Sequence, residues 1–137
     1  MMEGTAIIWP MIAHVALVYA VYALIALRRK EAVAAGSAKV SQFRENRDEP
    51  PESLFVRNNL TNQFELPVLF HVCCLVLFVS GGVGTPVIVL AWVFVVSRYV
   101  HAAIHVTTNR IRHRQLAFTA GFLALGAMWA ALAVHIA

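Results

Sequence analysis

The sequence predicts an all-α integral membrane protein, a single four-helix bundle that takes up residues 1–137. Two observations predict it. The chain is 60% hydrophobic and only 13% charged, with a mean hydropathy of +0.70, which exceeds the apolar share of ordinary soluble domains. Four apolar stretches also reach the length of about 20 residues that a helix needs to cross a bilayer. These stretches cover about residues 5–27, 57–80, 85–108 and 114–136, and a polar segment at 28–56 joins the first two.

The first apolar stretch is predicted to be a retained transmembrane helix. A cleaved signal peptide would begin with positive charge and carry an apolar run of about 7 to 15 residues. Here residues 1–5 hold Glu3 and no Lys or Arg, and the apolar run is longer. We therefore expect all four stretches to remain in one membrane domain.

The distribution of Lys and Arg predicts the orientation of the chain in the membrane. Basic side chains outside the apolar stretches are confined to two loops, 28–56 and 109–114, apart from Arg57 at a helix end. By the positive-inside rule both loops are cytoplasmic and both termini are non-cytoplasmic. The net charge of +4 then reflects this orientation, and no nucleic-acid partner is expected. The loop residues concerned are Arg28, Arg29, Lys30, Lys39, Arg44, Arg47, Arg110, Arg112 and Arg114.

Polar side chains recur on the second stretch. Asn58, Asn62 and Glu65 fall on one narrow face of a helix, because successive residues are about 100° apart. Pro67 follows two residues after Glu65, cannot donate to the carbonyl of Gln63, and should kink the helix beside the carboxylate. A kink and a free carbonyl both favour a cavity at this point.

A second polar face lies on the third stretch. Arg98 and Glu65 both lie roughly 12 to 15 Å from the cytoplasmic ends of their helices, at about 1.5 Å per residue, so an ion pair between them is geometrically reasonable. Ionisable groups inside a membrane cost roughly 2.5 to 3.5 kcal/mol each on insertion scales, and for that reason they usually pair and mark a site. The residues of this second face are Arg98, His101, His105 and Asn109.

Two other interpretations of these faces stay open. One is a satisfied network between helices that serves only packing, since polar side chains often join membrane helices. The other is a metal or haem site at His101 and His105, which are four residues apart on one helix. His14, His71 and His135 show no pattern that assigns them a partner, and we expect them to be core or interfacial residues.

Basic residues between the third and fourth stretches point to an anionic ligand. Arg112 continues the face of Arg98, whereas Arg114 opens the fourth helix, where free backbone amides and the helix dipole favour an anion. Together with Arg110 they form a rim that a small anion entering from the cytoplasm would meet first. Deeper in the membrane it would meet Asn62 and Glu65.

Three motifs resemble those of the MAPEG family, the membrane-associated proteins of eicosanoid and glutathione metabolism. Residues 62–67 have the family's Asn-x-x-Glu followed by Pro, and residues 98–101 carry its helix-three Arg. Residues 114–118 read Arg-Gln-Leu-Ala-Phe and are similar to the Arg-x-Leu-Ala-Phe stretch of microsomal glutathione transferases. The resemblance covers roughly residues 57–118.

The resemblance implies a homotrimer in which glutathione binds between neighbouring subunits near the cytoplasmic face. It assigns Asn62 and Glu65 as glutathione ligands and Arg114 as the residue that stabilises the thiolate. Glutathione also offers two carboxylates that arginines hold. The further binding residues expected on this basis are Arg57, Asn58, Arg98, His101, His105, Arg110 and Arg112.

Two positions depart from the family pattern. Asn58 stands where the family often has Arg, with Arg57 one residue before it. His105 replaces a tyrosine that several members place seven residues after the helix-three Arg. Both positions concern residues that would hold or orient glutathione.

The motifs predict a glutathione-dependent transferase or peroxidase, with glutathione as co-substrate, that acts on lipophilic electrophiles in the membrane. The alternative is a non-catalytic scaffold that keeps the family trimer without glutathione chemistry, and the third possibility is the metal or haem site at His101 and His105. The expected partners are further copies of the chain, lipophilic small molecules and the bilayer itself.

Overall fold

The computed structural model describes residues 2–44 and 48–137. Met1, the side chains of Met2 and Glu3, and residues 45–47 with the loop residue Arg47 lie outside the described residues. The described chain is helical and contains no strand. Its helices are α1 (Met2–Thr5), α2 (Ile8–Ala34), α3 (Pro51–Asn62), α4 (Leu66–Ser80), α5 (Thr85–Val106) and α6 (Ile111–Ile136), with a short 3-10 helix at Val40–Arg44.

Four helical spans among the described residues are long and apolar enough to cross a membrane. They are α2, the combined segment Pro51–Ser80, α5 and α6, with mean hydropathies between 1.8 and 2.0. Much of each span is exposed and apolar, as expected for helices whose outer faces contact lipid. The predicted all-α class with four membrane-crossing helices is confirmed.

Helix α2, which contains the first apolar stretch, continues well past the end predicted for that stretch near residue 27. Arg, Lys, Glu and Ala favour a helix as strongly as the apolar residues before them do, so α2 runs on to Ala34 beyond the apolar stretch. Gly36 then ends it in the left-handed conformation, with φ at +76°. The amides of Gly36 and Ser37 donate back to the carbonyls of Val33 and Ala32, which satisfies the last turn of the helix.

Glu49 ties the connection between α2 and α3 to the bundle. Its carboxylate accepts two hydrogen bonds from Arg29, at 2.9 and 2.6 Å, and a third from the hydroxyl of Ser53. The Glu49 side chain is only 1% exposed. Burial alone would raise the pKa of Glu49, but the hydrogen bonds from Arg29 and Ser53 outweigh burial and lower that pKa below its ordinary value. The predicted polar loop is therefore a short, anchored connection.

The core has two apolar clusters that lie at different levels of the bundle. One centres on the stacked rings of Phe70 and Phe94, whose centroids are 4.4 Å apart, and includes Met128 of α6. The other joins α2, α3 and α5 through residues such as Val21, Val56 and Ala102. Along α2, the second span and α5, buried polar residues lie between the members of the two clusters, so a polar layer separates them. These residues are His14, Asn59, Gln63, Ser97, Arg98 and His101.

Helices α5 and α6 are in close contact at Gly121. A Cβ added to Gly121 would lie 2.3 Å from the Oγ of Ser97, which donates to the carbonyl of Phe94 at 2.6 Å. Because glycine has no side chain, the backbone of α6 at Gly121 can pack directly against the side chain of Ser97 on α5. Small residues allow such close packing in membrane bundles. The contact fixes α6, and with it Arg114, against the polar face of α5.

Candidate functional site

The second membrane span is broken at residues 63–65. Helix α3 ends at Asn62 and α4 begins at Leu66, with Glu65 between them at φ −93° and ψ −102°. Pro67 has no amide hydrogen to bond the carbonyl of Gln63, so the predicted kink is found as a complete interruption. The prediction of one continuous helix over residues 57–80 is therefore wrong.

The interruption also changes which polar residues of this span face inward. The predicted common face of Asn58, Asn62 and Glu65 does not form, because Glu65 no longer follows the helical repeat of α3. Asn58 and Glu65 are exposed, and Asn62 is half-buried. The fully buried polar residues of the span are Ser53 near its start, and Asn59 and Gln63 beside the break, at 0%, 0% and 2% exposure.

The polar face predicted on α5 is present and buried. Arg98, His101 and His105 are 1%, 3% and 4% exposed. Asn109 lies beyond the end of α5 in a left-handed conformation with φ at +47°, so it does not extend the helical face. Its Oδ1 instead accepts a 2.6 Å hydrogen bond from the Nη1 of Arg114. This bond positions the arginine at the start of α6.

Arg98 has no anionic partner among the described residues. Its Nη2 donates to the main-chain carbonyl of Asn62 at 3.2 Å, while its Nε is buried with no hydrogen-bond partner among the described residues. The predicted ion pair with Glu65 is wrong. No carboxylate of the described residues lies within 4.0 Å of the Arg98 guanidinium, the distance that defines an ion pair. The charge of Glu65 still acts on Arg98 from farther away. Because the helix is interrupted at residues 63–65, the side chain of Glu65 is exposed and does not reach Arg98.

The histidines and Arg114 complete a group of buried or half-buried basic side chains, in which the two arginines carry the positive charge. The rings of His101 and His105 have centroids 5.7 Å apart and lie edge to face. The charge of Arg114 acts on both histidines. Asn62 joins the group through a 3.5 Å contact between its Nδ2 and the Nδ1 of His105, and the Nδ1 of His101 is buried without a partner. We call Arg98, His101, His105 and Arg114 the cationic cluster.

The remaining predicted binding residues lie outside this cluster. Arg57 is 3.9 Å from Glu49 and belongs to the anchored connection. Arg110 and Arg112 are exposed at the start of α6, as is Asn58 on α3. The main-chain amide of Arg114 donates to the carbonyl of Arg110 at 3.0 Å, but no side-chain hydrogen bond or ion pair in the described part of the chain joins any of them to the cluster.

A buried hydrogen-bonded chain that the sequence analysis did not find runs across the bundle. His14 contacts His71 at 3.1 Å and Gln63 at 3.2 Å, although both histidines were expected to lack a defined partner. Gln63 donates to Asn59 at 2.6 Å, and Asn59 donates to the carbonyl of Ala102 at 3.1 Å. The spacing of Asn59 and Gln63, four residues apart on one face, was the sequence signal for this chain.

Two further expectations concerned His135 and the pair of His101 and His105. His135 also has a partner, because its Nε2 contacts the carbonyl of Ser80 at 3.0 Å. The pair of His101 and His105 gains no third ligand: within residues 2–44 and 48–137 no group of three or more His, Cys, Asp or Glu side chains could hold a metal ion. The cluster is therefore better suited to an anion than to a cation.

Comparison with known families and proteins gives one match. The family model of the MAPEG family matches residues 6–134 of the 137-residue chain. This stretch includes all four membrane spans, the helix break and the cationic cluster. No curated protein and no solved structure matched the chain.

Proposed function

Because the chain belongs to the MAPEG family, we propose that it is a glutathione-dependent transferase or peroxidase that acts on lipophilic electrophiles in the bilayer. Membership places the chain among multi-pass membrane proteins with a general role in glutathione or eicosanoid metabolism. The more specific activity is supported by one observation above all. The buried guanidinium of Arg98 has no carboxylate partner in the described chain, so it is suited to a ligand that brings one.

Glutathione has the charges that such a site needs. A carboxylate on the Nε of Arg98 would satisfy the unpaired donor and remove an uncompensated charge from the membrane interior. The unpartnered Nδ1 of His101 offers a second polar contact nearby. Burial of an unpaired charge is costly, and a bound anion offsets that cost directly.

Arg114 is the residue that we propose to activate the thiol. Its guanidinium is oriented by Asn109 and lies close enough to act electrostatically on both His101 and His105. A cation beside a thiol favours the thiolate, which is the nucleophile. His105 stands where several family members have a tyrosine and would contact the ligand from the other side.

Asn62 and Glu65 are proposed to hold the peptide part of glutathione. The broken helix leaves the Glu65 carboxylate exposed, and no described cation lies at ion-pair distance from it, so it can accept the α-ammonium. The side chain of Asn62 already contacts His105 and can exchange that long contact for the ligand. The helix break is therefore the feature that separates a carboxylate from Arg98 and leaves both for a zwitterionic ligand.

A neighbouring subunit is proposed to complete the site. MAPEG proteins are generally trimers, and the surface cations of this chain are not gathered around its own cluster. Placed against a second copy near the cytoplasmic face, these cations would supply the remaining carboxylate contacts. The residues concerned are Arg57, Arg110 and Arg112, with Asn58 beside them.

The proposed reaction is attack by the glutathione thiolate. With an electrophilic carbon, a carbon–sulfur bond forms as the leaving group departs or an epoxide opens. With a hydroperoxide, the sulfur attacks the terminal oxygen and releases the alcohol, and a second glutathione then yields the disulfide and water. Both routes suit substrates that partition into the bilayer, since the outer faces of the helices are apolar.

Calorimetry and stopped-flow absorbance on the purified protein test this function. Glutathione should bind and release a proton as the thiolate forms, and Arg114→Ala should lose the thiolate signal while it keeps measurable binding. Arg28→Ala is the matched control, because Arg28 is an exposed arginine in the other basic region and pairs only with Glu31 at 3.3 Å. No binding and no thiolate signal in the unaltered protein would rule out the assignment.

A non-catalytic scaffold is the second candidate. The outward position of Glu65 and the scattered surface arginines favour it, because a single chain does not assemble the whole predicted ligand set. A true ligand stabilises the folded state by mass action, whereas a scaffold without the site does not respond. Thermal melting with and without glutathione in the same detergent therefore separates the two candidates.

A further inference from the structure

The hydrogen-bonded chain from Ala102 to His71 has a fixed direction. A main-chain carbonyl can only accept, so the Nδ2 of Asn59 must donate to Ala102 and the Oδ1 of Asn59 must accept from Gln63. The Oε1 of Gln63 then faces His14, and the Nε2 of His14 must carry a hydrogen. Turning either amide around would place two oxygens or two amino groups against each other.

The same direction determines the state of both histidines. A neutral His14 that donates through Nε2 has a bare Nδ1, which must accept from the Nε2 of His71 at 3.1 Å. His71 then carries its hydrogen on Nε2 and has a bare Nδ1. A second proton on either ring would add a charge within the membrane beside no described carboxylate, which the bilayer disfavours.

The chain therefore ends in an unused acceptor. The Nδ1 of His71 has no hydrogen-bond partner among the described residues. The side chain of His71 is half-buried and lines a groove of the bundle, from which a ligand can approach this acceptor.

His71 forms part of the wall of an apolar groove between α2 and α4. The groove has a volume of about 310 Å³, with His14, Gln63 and His71 as its polar residues. The groove lies beside the helix break, because Gln63 and Phe64 form part of its wall, and most of its apolar residues are exposed. The apolar walls are Val15, Val18, Phe64, Val68, Val72 and Leu75.

We propose that this groove binds a neutral lipophilic molecule that carries an O–H group, an alcohol or a phenol, through a hydrogen bond donated to the Nδ1 of His71. The apolar walls fit the body of such a molecule, and the bare nitrogen requires a donor. A carboxylate anion has no hydrogen to donate and would bring a charge into an apolar groove. The site is separate from the cationic cluster and does not depend on glutathione.

The test uses the full chain in lipid nanodiscs without glutathione, with 2-naphthol as the probe. The matched probes are 2-methoxynaphthalene, which lacks the donor, and 2-naphthoate, which is an anion. One hydrogen bond of ordinary strength predicts that 2-naphthol binds about tenfold more tightly than 2-methoxynaphthalene. His71→Phe keeps a ring but removes the acceptor, and should bring that ratio to about one.

Two tryptophan variants keep the proposal testable if His71→Phe does not fold. Leu75→Trp fills the groove without touching the hydrogen-bonded chain and should weaken binding of 2-naphthol at least tenfold. Val76→Trp adds the same side chain to an adjacent exposed position outside the groove wall and should leave binding unchanged. Nitrogen-15 spectra of histidine-labelled protein should show the bare nitrogen of His71 shifting with 2-naphthol and not with 2-methoxynaphthalene.

Three outcomes would overturn the proposal. Equal binding of 2-naphthol and 2-methoxynaphthalene by the unaltered protein would show that no donor is recognised. Equal loss of binding in Leu75→Trp and Val76→Trp would place the probe elsewhere. If no probe binds and Leu75→Trp changes the oligomer size by light scattering, a second copy of the chain covers the groove.

Discussion

The Nη2 of Arg98 donates a 3.2 Å hydrogen bond to the main-chain carbonyl of Asn62, the last residue of α3. This carbonyl lies directly before the helix break, so an interruption caused by Pro67 is joined to a buried cation on α5. A main-chain carbonyl is neutral and leaves the charge of Arg98 uncompensated. The hydrogen bond between Arg98 and Asn62 therefore connects the helix break directly to the proposed anion site.

Arg98→Met should separate stability from ligand binding. Methionine keeps much of the length of the side chain and removes an unpaired buried charge, so the variant should melt at the same temperature or higher in detergent without glutathione. Glutathione binding measured by calorimetry should fall at least tenfold, since a charge-assisted hydrogen bond is lost. A lower melting temperature together with unchanged binding would instead mean that Arg98 serves only packing.

Pro67→Ala should partly close the helix break. Alanine restores an amide hydrogen that can donate to the carbonyl of Gln63, and it favours the helical conformation. Hydrogen exchange of the amides of Leu66 and Val68 should slow, and glutathione affinity should fall because Glu65 would shift toward Arg98. Leu69→Ala, on the exposed side of α4, is the control and should change neither. Faster exchange in Pro67→Ala would contradict this account of the break.

Hydrophobicity and helical periodicity were enough to predict the four spans and the buried face of α5. They work there because α5 is one uninterrupted helix, so residues 98, 101 and 105 keep a common side. The same reasoning failed on the second span. A periodic pattern assumes a continuous helix, and the proline that predicted a kink also ended the repeat on which the face of Asn58, Asn62 and Glu65 depended.

The hydrogen-bonded chain through His14 and His71 could not be deduced from the sequence of any one membrane span alone. Its members come from three membrane spans, and the sequence pattern of one span does not say which neighbour meets it. Gln63 was passed over because it lies one residue from the predicted face. The register between α2 and the second span, which is a tertiary property, brings His14 and Gln63 together.

Acid should destabilise the protein through Glu49. The pKa of this carboxyl is lowered from 4.5 in the folded state, so its ionised form contributes stability above that ordinary value, and the contribution is lost as the pH falls through the folded pKa. Replacing the carboxylate by Glu49→Gln should cost about 1 to 3 kcal/mol at pH 7. Melting temperatures of the two proteins should converge as the pH is lowered below 4.5.

Glu31→Gln is the control for this effect. Glu31 is exposed and pairs only with Arg28, so its substitution should change the melting temperature little at any pH. A difference between wild type and Glu49→Gln that stays constant from neutral to acid pH would show that the charge of Glu49 does not contribute.

The packing of α5 against α6 should depend on the absence of a side chain at Gly121. A methyl group there would lie 2.3 Å from the Oγ of Ser97, so Gly121→Ala must displace that hydroxyl or separate the helices. Overpacking of this kind costs about 1 to 3 kcal/mol, and we expect a lower melting temperature in detergent. Adding Ser97→Ala removes the clashing oxygen, so the double variant should recover most of the loss. Gly126→Ala, where no atom lies within 4 Å of the added Cβ, is the control on the same helix and should be tolerated. If Gly121→Ala and Gly126→Ala behave alike, or if Ser97→Ala gives no recovery, the close approach does not hold α6 in place.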